Sequence, residues 1–210
     1  MADIEPGRPL GRIRLLLWII VPVALAAGLL LQLNHSRDDA ANAGVKTIAT
    51  GPAVGGPFML TDTEGRKFGS PQLAGKPFAV FFGFTRCPDV CPTTLNRMAR
   101  LRKQMGDDAD KFRIVFVSVD PGHDTPADIG AYLKLFEMPV IGLTGTEAEL
   151  KPVEQAFSVY VAKVMQPDGD YMIDHTATIF LMDARGQFAG TIAFDEKDNV
   201  ALEKLKKLVA

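Results

Sequence analysis

The chain has two cysteines, three histidines and eight methionines in 210 residues. Both thiols fall in one short run, Cys87-Pro88-Asp89-Val90-Cys91-Pro92, directly after the apolar stretch from Phe78 to Phe84. The spacing is C-x-x-x-C. If the run opens a helix, the two side chains lie four apart on one face, with Cβ atoms about 5–6 Å apart. A disulfide asks for about 3.5–4.5 Å, so oxidation would distort the first turn. Two thiolates converging on a soft ion, with bonds of about 2.3 Å, need no such distortion. The spacing therefore tilts the pair towards metal capture and away from easy disulfide cycling. A helix N-terminus lowers thiol pKa, which serves either chemistry. A purely structural disulfide would close a loop too short to stabilise much.

Two thiolates rarely complete a metal site, so each histidine is weighed as a third ligand. His35 ends a long apolar run and reads as a solvated interface residue. His123 sits in the turn Asp120-Pro121-Gly122-His123-Asp124, after an apolar run, and could approach the thiols because loops at strand C-termini cluster in open α/β sheets. His175 is the strongest candidate: Asp174-His175-Thr176 stands just before an apolar strand and just after a polar loop. Asp174 could fix the tautomer of the ring or supply negative charge. Thioether sulfur also binds soft metal ions, but Met98, Met105, Met138 and Met182 lie in or beside apolar periodic segments and read as core. Only Met165 and Met172, in the segment before His175, merit a test.

The elements that must position these groups follow from periodicity. Phe58–Thr61 and Arg66–Phe68 flank Asp62-Thr63-Glu64-Gly65 as a hairpin, and Phe78–Phe84 and Phe112–Val119 read as fully buried strands. Pro92–Met105 has helical spacing. Thr125 with Pro126 and Asp128 starts a helix to about Phe136, and Thr146 with Glu149 forms a capping box for a helix to about Ser158. A strand over Tyr160–Val164 precedes a polar loop over Gln166–Tyr171. Thr176–Met182 and Gln187–Ala193 pair across Asp183-Ala184-Arg185-Gly186, and an amphipathic helix over Lys197–Val209 closes the chain. The pattern predicts an α/β sandwich around a mixed sheet.

Ahead of this domain, residues 15–33 form an uncharged run of 19, rich in Leu, Ile, Val and Ala. At about 1.5 Å per residue it matches a hydrocarbon core about 30 Å thick. A cleaved signal peptide would have a shorter run and a closer small-x-small site than Ala41-Asn42-Ala43. Arg8, Arg12 and Arg14 precede the span, which places residues 1–14 in the cytoplasm and exports the rest. Asp3 and Glu5 argue against a mitochondrial transit peptide. The expectation is a single-pass bacterial inner-membrane protein: a tether over 34–56, then a periplasmic domain over 57–210. A net charge of −2 without a basic stripe gives no sign of a nucleic-acid partner.

Three runs together, F-F-G-F-T-R-C-P-D-V-C-P-T-T-L, V-S-V-D-P-G-H-D-T-P and D-Y-M-I-D-H-T-A-T-I-F-L-M-D, closely resemble the Sco/SenC family. The resemblance covers residues 52–210. It implies a thioredoxin-like three-layer sandwich behind one N-terminal transmembrane helix. It also implies copper as the metal, with Cys87, Cys91 and His175 as ligands. Family members deliver copper to the dinuclear copper centre of cytochrome c oxidase subunit II, or reduce that subunit's cysteines beforehand. Another periplasmic copper chaperone or a thiol reductase is a further expected partner. The chain departs from common family variants twice: Arg86 stands where a histidine is frequent, and Gly122-His123 replaces a more usual charged pair.

Two thiolates and one imidazole favour Cu(I), which accepts trigonal coordination by soft donors, whereas zinc usually takes a fourth ligand. Cu(II) with an added oxygen from Asp174 or water is the alternative. Two function classes remain open on the same sulfurs: a metallochaperone, or a thiol–disulfide oxidoreductase with Cys87 attacking and Cys91 resolving. A peroxidase reading rests on Arg86 alone and is the weakest.

Overall fold

The computed structural model describes residues 54–210. The segments read as cytoplasmic tail, membrane helix and nearly all of the tether lie outside the described residues. Among the described residues, no helix is long and apolar enough to cross a membrane.

The core is a seven-stranded mixed sheet. Its strands are β1 (Met59–Asp62), β2 (Lys67–Gly69), β3 (Phe78–Gly83), β4 (Arg113–Ser118), β5 (Ile141–Thr144), β8 (Ile179–Met182) and β9 (Phe188–Ile192), in the order β2-β1-β5-β4-β3-β8-β9. β3, β4 and β5 are parallel, and β8 runs antiparallel to β3. Every residue of β3 and all but the first of β4 are buried, as expected for strands covered on both faces. Two further strands, β6 (Val161–Met165) and β7 (Tyr171–His175), form a separate antiparallel ribbon.

The helices are α1 (Ser70–Leu73), α2 (Val90–Gln104), α3 (Pro126–Leu133), α4 (Glu147–Ala156) and α5 (Asp198–Val209). Side chains alternate along a strand, so Phe81 and Gly83 face one side of the sheet and Phe82 the other. Phe82 meets Phe157 just beyond α4, at a centroid distance of 5.3 Å. On the opposite face Phe116, the cross-strand neighbour of Phe81, meets Tyr132 of α3 at 5.9 Å. Helices therefore cover both faces, and the three-layer arrangement expected from the sequence holds. The capping boxes at Thr125/Asp128 and Thr146/Glu149 both form.

Four details correct the expectation. α2 begins at Val90, so Cys91 lies in its first turn while Cys87 precedes the cap residue Asp89. α3 ends at Leu133 rather than near Phe136. The four-residue strand β5 is not among the expected elements, which leave the segment between about Phe136 and Thr146 unassigned; a Cβ on Gly142 in its middle would stand 2.6 Å from both Ile129 and Leu133, so glycine is what lets α3 close on the sheet. The fourth concerns the segment before His175: only a tight turn separates β6 from β7, and residues 176–178 are not strand. His175 therefore ends a strand, where a loop position had been expected.

Candidate metal centre

β3 ends on Gly83 and delivers the chain into the loop that carries Cys87. That loop is fastened from below by Asp124, which is 2% exposed. Its carboxylate accepts the Thr85 N–H at 2.9 Å, the Thr85 hydroxyl at 2.6 Å and the Ser118 hydroxyl at 2.6 Å. The second sequence run, from Val117 to Pro126, therefore serves as the floor of the cysteine loop. Gly83 itself is needed for proximity: a Cβ there would stand 2.8 Å from Cys91 Sγ and 2.9 Å from the Phe116 ring.

Cys91 is fully buried and Cys87 is 9% exposed; both are free thiols. The Cys91 backbone N–H donates to Cys87 Sγ at 3.4 Å. His175 Nε2 lies 3.5 Å from Cys91 Sγ. The two sulfurs and one ring nitrogen all lie within 4.8 Å of one another, and this is the group of metal-capable side chains found among the described residues. A planar three-coordinate ion with bonds of about 2.0–2.3 Å would hold its donors about 3.5–4.0 Å apart. The observed spacing needs only a small contraction to fit.

The orientation of the ring is fixed by its other nitrogen. His175 Nδ1 lies 3.0 Å from the Thr176 carbonyl oxygen, which can only accept, so Nδ1 carries the proton and the neutral ring aims the Nε2 lone pair at the sulfurs. Phe84 and Phe81 meet the ring edge-on at 5.7 and 6.2 Å and wall it in. Asp174 was weighed for this orienting role and does not play it: it is exposed, on the opposite face of β7 from His175. Met172 shares that opposite face, and Met165 is 67% exposed at the far end of the ribbon. Met98, Met105 and Met182 are buried core, as expected. His123 is engaged elsewhere, with Nδ1 3.1 Å from Asp120 and 2.9 Å from Arg86.

The two sulfurs are electrostatically unlike. The Cys91 S–H donates to the Cys87 sulfur and holds the Cys87 thiol down at about 4; burial works against this, and the neighbouring His175 ring and the backbone N–H groups of Cys91 and Asp89 add to it. The same hydrogen bond, with burial and the neighbouring negative sulfur, pushes Cys91 strongly up. The metal-free pair is thus one thiolate and one thiol, with the thiolate on the more exposed sulfur. The site can accept a soft cation with loss of one proton, or attack a disulfide from Cys87.

Sequence reasoning missed the polar knot beside the thiols. The Arg86 guanidinium donates to Asp170 at 2.6 Å, to the Tyr171 carbonyl at 3.1 Å and to Asp120 at 3.4 Å. The Tyr171 hydroxyl donates to Asp120 at 2.6 Å, and burial together with that carboxylate pushes the phenol up to about 12. The one available signal was the charge of Arg86 next to Cys87; its partners lie 34 to 85 residues away.

The SCO1/SenC family model matches residues 46–210. A SCO2-like protein of Rickettsia felis is 39% identical over 155 residues, covering 73% of this chain and 76% of its own length. The structure of Bradyrhizobium japonicum ScoI with copper bound is 45% identical and covers 74% of this chain and 99% of that one, with a TM-score of 0.68. The chain also shares its fold with BsSco, a member of the Sco family of cytochrome c oxidase assembly proteins in which a disulfide switch was identified; there the identity is 22% and the TM-score 0.60, over 75% of this chain and 95% of that one.

Proposed function

The chain belongs to the SCO1/SenC family, and from that premise we propose that it binds copper through Cys87, Cys91 and His175 and hands it on during cytochrome c oxidase assembly. The observation that carries this reading is the convergence of two sulfurs and one lone-pair nitrogen within 4.8 Å, with the nitrogen aimed by the Thr176 carbonyl. That donor set suits Cu(I). Support also comes from the copper-bound structure of ScoI at 45% identity. The recipient is the dinuclear copper centre of subunit II. The protein works from the outer face of a bacterial inner membrane, held by the apolar run at residues 15–33. An open three-coordinate ion lets an incoming thiolate bind before an outgoing one leaves, so the metal is passed on without being free.

The test is anaerobic Cu(I) loading of the full chain in detergent. X-ray absorption should report two sulfurs and one nitrogen, and Cys87→Ser, Cys91→Ser and His175→Ala should each lose stoichiometric copper. Copper content like that of the wild type in all three variants would refute the assignment. In cells, the same variants should leave subunit II without its copper.

A second reading is favoured by one specific observation, the thiolate at Cys87 beside the buried thiol at Cys91. That is the poise of a reductant for the subunit II cysteines. The readings part at His175: a reductase keeps its activity in His175→Ala, and a copper carrier does not.

A further inference from the structure

The ribbon that carries His175 shares no ladder with the main sheet. At its root Thr176 N–H donates to the Tyr160 carbonyl at 3.1 Å, and Tyr160 N–H donates to Thr176 Oγ1 at 2.9 Å. These bonds close the ribbon on itself; towards the rest of the fold Lys163 of β6 adds only an exposed ion pair with Glu147 of α4 at 2.9 Å. Side chains alternate, so Tyr171, Ile173 and His175 share one face; Ile173 is buried, which makes this the inward face. The free end of that face is where the polar knot grips. Arg86, the residue before Cys87, bonds the Asp170 carboxylate and the Tyr171 carbonyl. The Tyr171 hydroxyl reaches Asp120, whose carboxylate is fully buried and also faces Arg86 and His123. One guanidinium thus joins three segments: the cysteine loop, the turn after β4 and the tip of the ribbon.

Arg86 and the Gly122-His123 pair meet in this knot. Arg86 supplies the reach. Gly122 supplies the room, since a Cβ there would stand 2.6 Å from the Tyr171 hydroxyl. The His123 ring packs against the Tyr171 ring at 4.9 Å, and its Nδ1 is 2.9 Å from Arg86.

We propose that Arg86 is a positioning residue: it latches the free end of the β6–β7 ribbon to the cysteine loop and so holds His175 against the two sulfurs. The latch is a property of the metal-free protein; its consequence for metal release rests on the copper reading above. A forked donor is required, because one side chain must bond a carboxylate, a carbonyl and a second carboxylate in different directions, which a lysine ammonium at the end of a flexible stem cannot reproduce.

The test uses the full chain in detergent with Arg86→Gln and Tyr171→Phe, the second removing a single hydroxyl in case the first folds poorly. Hydrogen exchange on the copper-free protein should show ribbon amides opening about tenfold faster or more, the scale of one lost hydrogen bond to a charged group, while β3 and α2 are unchanged. Transfer of Cu(I) to a small chelator should quicken by a similar factor of about ten, with both sulfur ligands retained. Arg86→Lys should not restore either rate. Ribbon exchange at the wild-type rate in both variants overturns the latch. Faster exchange with unchanged Cu(I) release overturns its bearing on His175. If the wild type binds no copper, the copper reading fails and the exchange rates alone decide the latch.

Discussion

The inequality of the two sulfurs can be tested by titration. In the metal-free protein the Cys87 thiol is lowered from 9.0 to about 4, chiefly because the Cys91 S–H donates to it. The perturbation that removes this cause is Cys91→Ala; Cys91→Ser keeps a donor and separates hydrogen bonding from volume. The assay is the rate of iodoacetamide alkylation against pH, with the modified residue identified by mass spectrometry. Only the thiolate reacts. The wild type should react at Cys87 with a rate nearly constant down to about pH 6, declining only towards the folded pKa, where the unperturbed thiol would decline below about pH 8.5. Cys91, pushed up by the same bond and by burial, should stay unmodified. Cys91→Ala should move the Cys87 profile up by well over one pH unit, and Cys91→Ser by less. Linkage fixes the sign of the stability effect: a folded-state pKa below the unfolded value contributes stability that is fully present above about pH 9 and is lost as pH falls through the folded pKa. A wild-type inflection near pH 8.5, or an unchanged profile in Cys91→Ala, would refute the reasoning.

Three substitutions probe how the fold holds the site. Gly83→Ala places a methyl 2.8 Å from Cys91 Sγ, against an ordinary contact of about 3.5–4.0 Å, so the sulfur must retreat by about 1 Å. The overpacking should cost about 1–3 kcal/mol in urea unfolding, and competitive titration should show Cu(I) affinity down by at least about tenfold; full affinity would mean that the sulfur position is not critical. Asp124→Asn keeps the shape of the floor but removes the charge that accepts from Thr85 and Ser118. A loss of about 2–3 kcal/mol is expected, read as a shifted urea midpoint, and an unmoved midpoint would contradict the role given to Asp124. Arg97 is 7% exposed and ties α2 to Asp198 at 2.7 Å and to the Ala193 and Phe194 carbonyls at 3.0 and 3.2 Å. Arg97→Met should cost about 3 kcal/mol, the low end for breaking a buried pair because Asp198 remains half-exposed. Since Arg97 touches none of the three donors, copper content should stay at the wild-type level.

The features legible in the sequence are those set by local chemistry. Phe78–Phe84 reads as a buried strand because every side chain is apolar, and Thr125 and Thr146 read as caps because the bonds span only three residues. The thiol pair is legible for the same reason, since its spacing is its geometry. His175 is legible from its neighbours in sequence, but Asp174 is not what orients it. Asp174 alternates to the exposed face, and the partner of the ring is a backbone carbonyl, which no side-chain motif displays. β5 is illegible because four residues are too few to display a period, while the need for glycine at 142 arises from the helix α3 packed directly on the sheet.

The ribbon explains why the site divides into a legible and an illegible half. Cys87 and Cys91 hang on the main sheet through β3, Gly83 and the Asp124 floor, all part of the same buried core. His175 hangs on two short strands whose inward face has one buried anchor, Ile173, and whose free end is held by charges. A position held by apolar burial writes itself into periodicity; one held by ion pairs across 84 residues does not. The division also suits a carrier. Two donors hang on the buried core while the third sits on a ribbon that shares no ladder with the main sheet, so opening of the site should begin at His175.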